Sequence, residues 1–461
     1  MLRLSLRLLL WPQLRLWPLT LALCGFASTA GAAPVSFRRE IAPILQQKCV
    51  ACHSADKTKG GFQLHTFAVL MKGGESKAPS VTPGQPARSK LLELIATQDA
   101  DDRMPQMDDP LTPAQIALIE RWIQEGAAFD GSDPNLALSA LIPAAPLPEP
   151  PSAYPRPVPV LALAFSPDGG ELAVGGYHEI TLWNPTDGKL LRRLKNVAQR
   201  TYSLAYSPDG QWLAAASGTP GRLGEVKLFE VRTGSARHTL ATTADSMLAV
   251  CFSPDGARLA AGGCDNAIRL FDTASGRQQR LIEQHADWVM GLAFSPDGAQ
   301  LASASRDKSA RLFDTKTGEL EVSYLGHGDA VFAVAFREDG HHLCSAGRDR
   351  EVHLWQSKDA KKNSEIGGFG GEIYQLALHG NELFSTTADK TVRQHRLTEK
   401  KAELVRAYTG HRDFVQALAL HPASRRLASG SFDGEVRLWN TTDGQPLLTF
   451  LAAPGFQAAQ K

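Results

Sequence analysis

Phe294-Ser295-Pro296-Asp297-Gly298 closes one apolar run and opens the next, and the same element begins at Phe165, Tyr206 and Phe252. Proline presets the first corner of a turn, aspartate bonds back to the local backbone, and glycine takes the left-handed corner. The element therefore reads as strand, tight turn, strand. Phe336, Leu378 and Leu420 mark the same position further on, giving spacings of 41, 46, 42, 42, 42 and 42 residues. The long spacing holds an insertion near Gly218-Thr219-Pro220-Gly221. A period in the low forties with alternating apolar strands predicts four-stranded propeller blades.

Other residues keep the same beat. Gly326-His327 and Gly410-His411 precede strands, while Asp265, Asp307, Asp349, Asp389 and Asp433 share one turn position. The strand after that turn ends in Trp183, Trp355 and Trp439, or in Phe229, Phe271 and Phe313. As a set these residues resemble the WD40 repeat, and seven of them imply a seven-bladed propeller over residues 158–452. The sixth unit departs, with His379-Gly380-Asn381 in place of the turn and His395 in place of tryptophan; the second lacks the turn aspartate. Leu447–Leu451 reads as a fourth strand supplied by the last unit itself, which leaves the manner of ring closure open. His327, Ser345, Asp349 and Trp355, and likewise His411, Ser429, Asp433 and Trp439, mimic catalytic triads. Their recurrence at equivalent positions identifies them as strand-locking hydrogen-bond chains instead. Arg306-Asp307-Lys308 and Arg348-Asp349-Arg350 place basic groups at neighbouring turns, which reads as solvated surface charge before a docking patch.

Upstream, Pro143, Pro146, Pro148, Pro150, Pro151, Pro155, Pro157 and Pro159 form a stiff joint unable to enter a sheet interior. The expected linker covers 131–157 and separates the repeats from a mostly helical region, 35–130. There, Phe37, Ile41, Ile44 and Leu45 fall at helical spacing. Thr112-Pro113-Ala114-Gln115 combines a capping box with a first-turn proline, Ile116, Ile119, Trp122 and Ile123 follow on one face, and Gly126 is the stop.

Between those helices lies Cys49-Val50-Ala51-Cys52-His53, the C-x-x-C-H pattern of c-type haem attachment. Each thiol can add to one vinyl group, and His53 is placed to ligate the iron from one side. A zinc or dithiol site would want two more close ligands or a βαβ setting, and neither is visible. The expected second iron ligand is Met104, about fifty residues on, since a thioether raises the potential of an electron carrier. Met107, Met71 and His65 are its rivals.

This region resembles the planctomycete-type cytochrome c domains over about residues 40–128. The matching pieces are Cys49–His53, Lys59-Gly60-Gly61-Phe62-Gln63-Leu64, Gly73-Gly74-Glu75-Ser76, Pro83-Gly84, Ser89-Lys90-Leu91-Leu92, Met104-Pro105, Trp122-Ile123 and Gly126-Ala127. The resemblance implies one covalent haem c and an electron-transfer role outside the cytoplasm; it implies no substrate.

The N-terminus carries Arg3, Arg7 and Arg15, an apolar run around Leu16–Ala27, and Ala30-Gly31-Ala32. That is a secretory signal over 1–32, cleaved after Ala32, and it places the mature protein in the periplasm. Arg15 and Pro18 leave too short an apolar run to span a bilayer, and Leu23 argues against a lipoprotein signal at Cys24. Without the signal, 46 basic residues face 48 acidic ones, which excludes the basic excess of a nucleic-acid binder. Cys251, Cys264 and Cys344 are an odd, scattered set and read as apolar fillers, not disulfides.

The fold class expected is thus multidomain: a small all-α cytochrome c-like haem domain, then an all-β seven-bladed WD40-type propeller. The function expected is single-electron carriage, with the propeller as a protein-docking platform for an unknown redox partner. Catalysis of its own is not expected. A haem-based redox or gas sensor and an oxidoreductase holding a second cofactor in the propeller are the rivals.

Overall fold

The computed structural model describes residues 33–50, 52–54, 59–75, 78–106, 109–131, 133–142, 147–398 and 401–456. The signal-peptide expectation, residues 1–32, lies outside them. The chain divides into two compact units, residues up to 145 and residues from 146 on. The first is a small helical region and the second an all-β propeller. Among the described residues, no helix is long and apolar enough to cross a membrane.

In the helical unit, a π-helical turn Phe37–Ile41 runs into α1, Ala42–Lys48. Short α2 (Phe67–Leu70), α3 (Lys90–Ala96), α4 (Pro113–Gln124) and α5 (Leu138–Leu141) follow. The capping box on α4 forms as expected: the Thr112 hydroxyl accepts from the Gln115 amide, and the Gln115 side chain accepts from the Thr112 amide. Phe37, Ile41, Leu45, Ile119, Trp122 and Ile123 are buried in one core. Phe37, Phe67, Trp122 and Phe129 pack ring against ring there, and the Trp122 indole donates to the Ala128 carbonyl.

The expected linker is a correction. Residues 134–142 pack on the helical unit: the Ala68 amide donates to Pro134 O, the Leu138 amide to His65 O, and Leu138 and Leu141 enter its core. Residues 149–157 pack on the propeller. The Tyr154 amide donates to Pro454 O, and its hydroxyl donates to the fully buried Glu179 carboxylate at 2.6 Å. Arg193 then bonds Glu179 and the Pro151 and Ser152 carbonyls. Proline kept this stretch out of the sheets, but carbonyls still accept hydrogen bonds, and a partly buried guanidinium uses them.

The seven units do not form seven separate sheets. Five separate four-stranded sheets form, not seven, and the first seven strands make one further sheet. The cause is the 17-residue strand Leu190–Tyr206. Its first part pairs with Tyr177–Trp183 and its second with Trp212–Thr219. Elsewhere the chain breaks between such strands. Here the Ala198 amide donates to Glu225, His178 bonds the Val197 carbonyl, and the Lys227 ammonium donates to the Asn196 carbonyl. These bonds keep the strand continuous through Asn196, which itself takes φ +62°.

Every four-stranded sheet is antiparallel, and its innermost strand touches the next sheet's innermost strand around a central channel. Val415–His421 of the last sheet meets Leu163–Phe165 of the first. The ring closes by packing, because Pro446–Leu451 pairs with Glu435–Asn440 of its own repeat. Val160, Leu163, Trp183, Val436 and Leu438 share one buried cluster across that seam. The Ser-Pro-Asp-Gly turns behave as expected. Ser295 Oγ donates to Asp297 at 2.6 Å, and Gly298 takes φ +71°, a corner that a side chain would strain.

The pseudo-triads are buried locks. His327 bonds Asp349 and Ser345, each at 2.7 Å, and the Trp355 indole donates to Ser345 Oγ at 3.0 Å. His411, Ser429 and Trp439 repeat the pattern. A further set, His285 with Asp307 and Ser303, escaped the sequence reading because Gln284 precedes that histidine instead of glycine. Burial alone would raise the Asp307 carboxyl, but bonds from His285 and Ser309 hold it well below the carboxylate range. In the sixth unit the lock is gone: Phe369 stands near His395, and Ser385 Oγ and His395 Nδ1 have no partner. Burial there pushes the His395 imidazole down to about 4. Ser345→Ala should cost about 2 kcal/mol, since it leaves buried groups of both His327 and Trp355 unpaired. Urea unfolding checks this, and a change under about 0.5 kcal/mol would deny the lock its role.

Candidate functional site

Helix α1 ends at Cys49, and the chain keeps winding. The Cys49 amide donates to Leu45 O at 2.9 Å, and the Cys52 and His53 amides both donate to Cys49 O at 3.1 Å. Residues three and four apart on such a turn face the same way, so Cys49, Cys52 and His53 share one side. His53 Nδ1–H donates to the Phe62 carbonyl at 3.1 Å, which fixes the ring and leaves Nε2 for a ligand bond. The Phe62 ring lies edge-on to it at 5.3 Å.

The glycine pairs hold that carbonyl in place. The Glu75 amide donates to Gly60 O at 3.1 Å, and a side chain on Gly74 would come within 2.9 Å of the same oxygen. Only glycine lets these two segments approach so closely.

On the opposite bank, the Met104 amide donates to Leu94 O of α3 at 2.9 Å. Met104, Cys49, His53, Lys59 and Gly60 line both of two adjoining cavities, of about 200 and 440 Å³. Cys52 lines the second. The wall of the first comes from Phe62, Leu64, Leu91, Leu94 and Ile95. Of that wall, Leu94 and Ile95 were missed in the sequence, although they stand at helical spacing from Leu91.

Neither Met71 nor His65 lines either cavity. Met71 packs on the helical core, His65 keeps a buried Nδ1 without a partner, and Met107 lies outside the described residues. Burial, reinforced by Cys52 nearby and only partly opposed by Lys48, pushes the Cys49 thiol up to about 12. Two thiols, one free imidazole nitrogen and one thioether thus converge on a slot with apolar walls. This donor set fits a covalently attached haem.

Comparison with known proteins agrees region by region. Residues 49–108 match the Planctomycete cytochrome C family. The WD domain, G-beta repeat, matches residues 188–229, 234–272, 276–314, 318–356 and 402–440. The first and the irregular sixth units fall outside those matches. An uncharacterized WD repeat-containing protein of Synechocystis is 33% identical over 103 residues, 22% of this chain and 28% of that protein. A guanine nucleotide-binding protein subunit beta of Zea mays is 29% identical over 85 residues, 18% of this chain and 21% of its own. Small ribosomal subunit protein RACK1y of Oryza sativa subsp. japonica is 33% identical over 117 residues, 24% and 33% respectively. The chain thus spans a third or less of each of these relatives. It carries a planctomycete cytochrome c domain followed by the WD40 repeats of a β-propeller.

Proposed function

We propose that the chain is a periplasmic mono-haem c-type cytochrome that carries single electrons, with its propeller as a docking platform for a redox partner. The convergence of Cys49, Cys52, His53 and Met104 on one cleft is the observation that carries this reading. Cys49 and Cys52 would hold the haem through thioethers, and His53 and Met104 would ligate its iron. Bound haem supplies one-electron iron chemistry. The chain's own part is to aim the imidazole through Phe62 O, to hold the methionine through Leu94 O, and to keep water from the apolar wall. The signal at residues 1–32 supports export. We count the propeller as seven-bladed, the strand Leu190–Tyr206 serving two blades, because seven innermost strands meet in succession.

The test is an absorption spectrum of the mature protein with a pyridine haemochrome assay. One c-type haem per chain, low-spin in both oxidation states, is expected; a second chromophore would favour the oxidoreductase rival. Met104→Ala should make the ferric protein high-spin and let the reduced protein bind carbon monoxide. A wild type that already binds carbon monoxide readily would favour a sensor.

A further inference from the structure

Each repeat carries a residue at one fixed place in the strand after the turn: Thr181, Lys227, Arg269, Arg311, His353, Arg393 and Arg437. The five with a fixed charge each pair with a local carboxylate. Lys227 meets Glu225 at 3.0 Å, Arg269 meets Asp265 at 2.6 Å, and Arg311 meets Asp307 at 3.6 Å. Arg393 meets Asp389 and Arg437 meets Glu435, both at 2.8 Å. At Thr181 the guanidinium comes from the register partner Arg193, which pairs with Glu179.

His353 breaks this rule twice. It is an imidazole where a fixed cation belongs, and its register partner is Glu365, not an arginine. Glu351, two residues back, holds His353 Nε2 at 2.8 Å. Asp349 stands close by but is bonded to His327 and to the Gly328 amide. Among the described residues, the ammonium that reaches the cluster is Lys362, on Glu365 at 2.7 Å and 44% exposed. Carboxylates neutralised by a guanidinium elsewhere here converge on a nitrogen ligand.

We propose that Glu351, His353 and Glu365 bind a divalent transition-metal ion of the zinc class, independently of the haem site. Their ligand atoms lie within 4.8 Å of one another. Bonds of about 2.0–2.2 Å to one ion require them up to about an ångström closer, which rotation of the two half-exposed carboxylates provides. One imidazole and two carboxylates leave a fourth position for water, the donor set of a borderline ion. His353 Nδ1 lies 2.7 Å from the buried Tyr324 hydroxyl. On metal binding, the ring proton moves from Nε2 to Nδ1 and donates to that oxygen, the usual outer support of a histidine ligand. Lys362 swings into solvent. Two neighbouring groupings are less suited. His327 and Asp349 are committed to the strand lock through Ser345 and the Gly328 amide, and Glu435 beside His411 is held by Arg437.

Chelator-stripped, haem-loaded mature protein, equilibrated with micromolar zinc chloride and assayed by plasma emission, tests this. Wild type should bind one zinc per chain more than His353→Arg, which installs the arginine of neighbouring repeats and so preserves the fold. Tyr324→Phe should weaken that zinc by about 10–100-fold, and the exposed Glu365→Gln should weaken it as well. Equal zinc in wild type and His353→Arg, or unchanged affinity in Glu365→Gln, overturns the site.

Discussion

His53→Ala is expected to abolish the low-spin spectrum while leaving the pyridine haemochrome yield unchanged. The two readouts separate because two different bonds are tested. Cys49 and Cys52 sit on the same turn as His53 and would keep the ring attached through carbon–sulfur bonds. Removing the imidazole leaves a space beside Phe62, whose carbonyl loses its donor. Added imidazole should enter that space and restore the low-spin bands. An unchanged spectrum in His53→Ala would remove His53 from the iron. Loss of all haem, with the fold intact, would show that attachment itself needs the histidine.

Arg193→Ala is expected to destabilise the propeller by about 3–5 kcal/mol, the range for stripping one partner from a buried ion pair. Glu179 is fully buried, and Arg193 gives it two hydrogen bonds, at 2.6 and 2.8 Å. Without the guanidinium, the Tyr154 hydroxyl is the side-chain donor left to solvate that charge among the described residues. Burial, with Glu179 alongside, pushes the Tyr154 hydroxyl above its ordinary range, so it stays a donor. The Pro151 and Ser152 carbonyls lose their partner too. Urea unfolding should therefore show a lower midpoint, and limited proteolysis should begin to cut within residues 149–157. Arg193→Lys keeps the charge but not the planar fork, and should fall between the two. A change under about 0.5 kcal/mol, the scale of an ordinary surface substitution, would refute the clamp.

Local signals were legible where a residue's neighbours in sequence are also its neighbours in space. The Ser-Pro-Asp-Gly turns, the Thr112 capping box and the turn holding Cys49, Cys52 and His53 each close within six residues, so composition and spacing were enough. The forty-two-residue beat was legible because each repeat must bury the same face. His285 was hidden by one altered neighbour, Gln284, although its bonds to Asp307 and Ser303 match those of His327.

The chain's residue order by itself determined a helical haem-type unit, a repeat propeller after it, and the thiols and imidazole of the cleft. Tertiary structure alone decided the rest: that Met104 lines the same cavities as His53 beside the wall from α3, that Leu190–Tyr206 is one strand, and that residues 149–157 are clamped. It also decided that Glu365 meets His353. Each of these depends on groups far apart in sequence, such as Glu225 with Ala198 or Arg193 with Pro151. A buried charge must find its partner wherever the packed chain presents one, and no local pattern records where that will be.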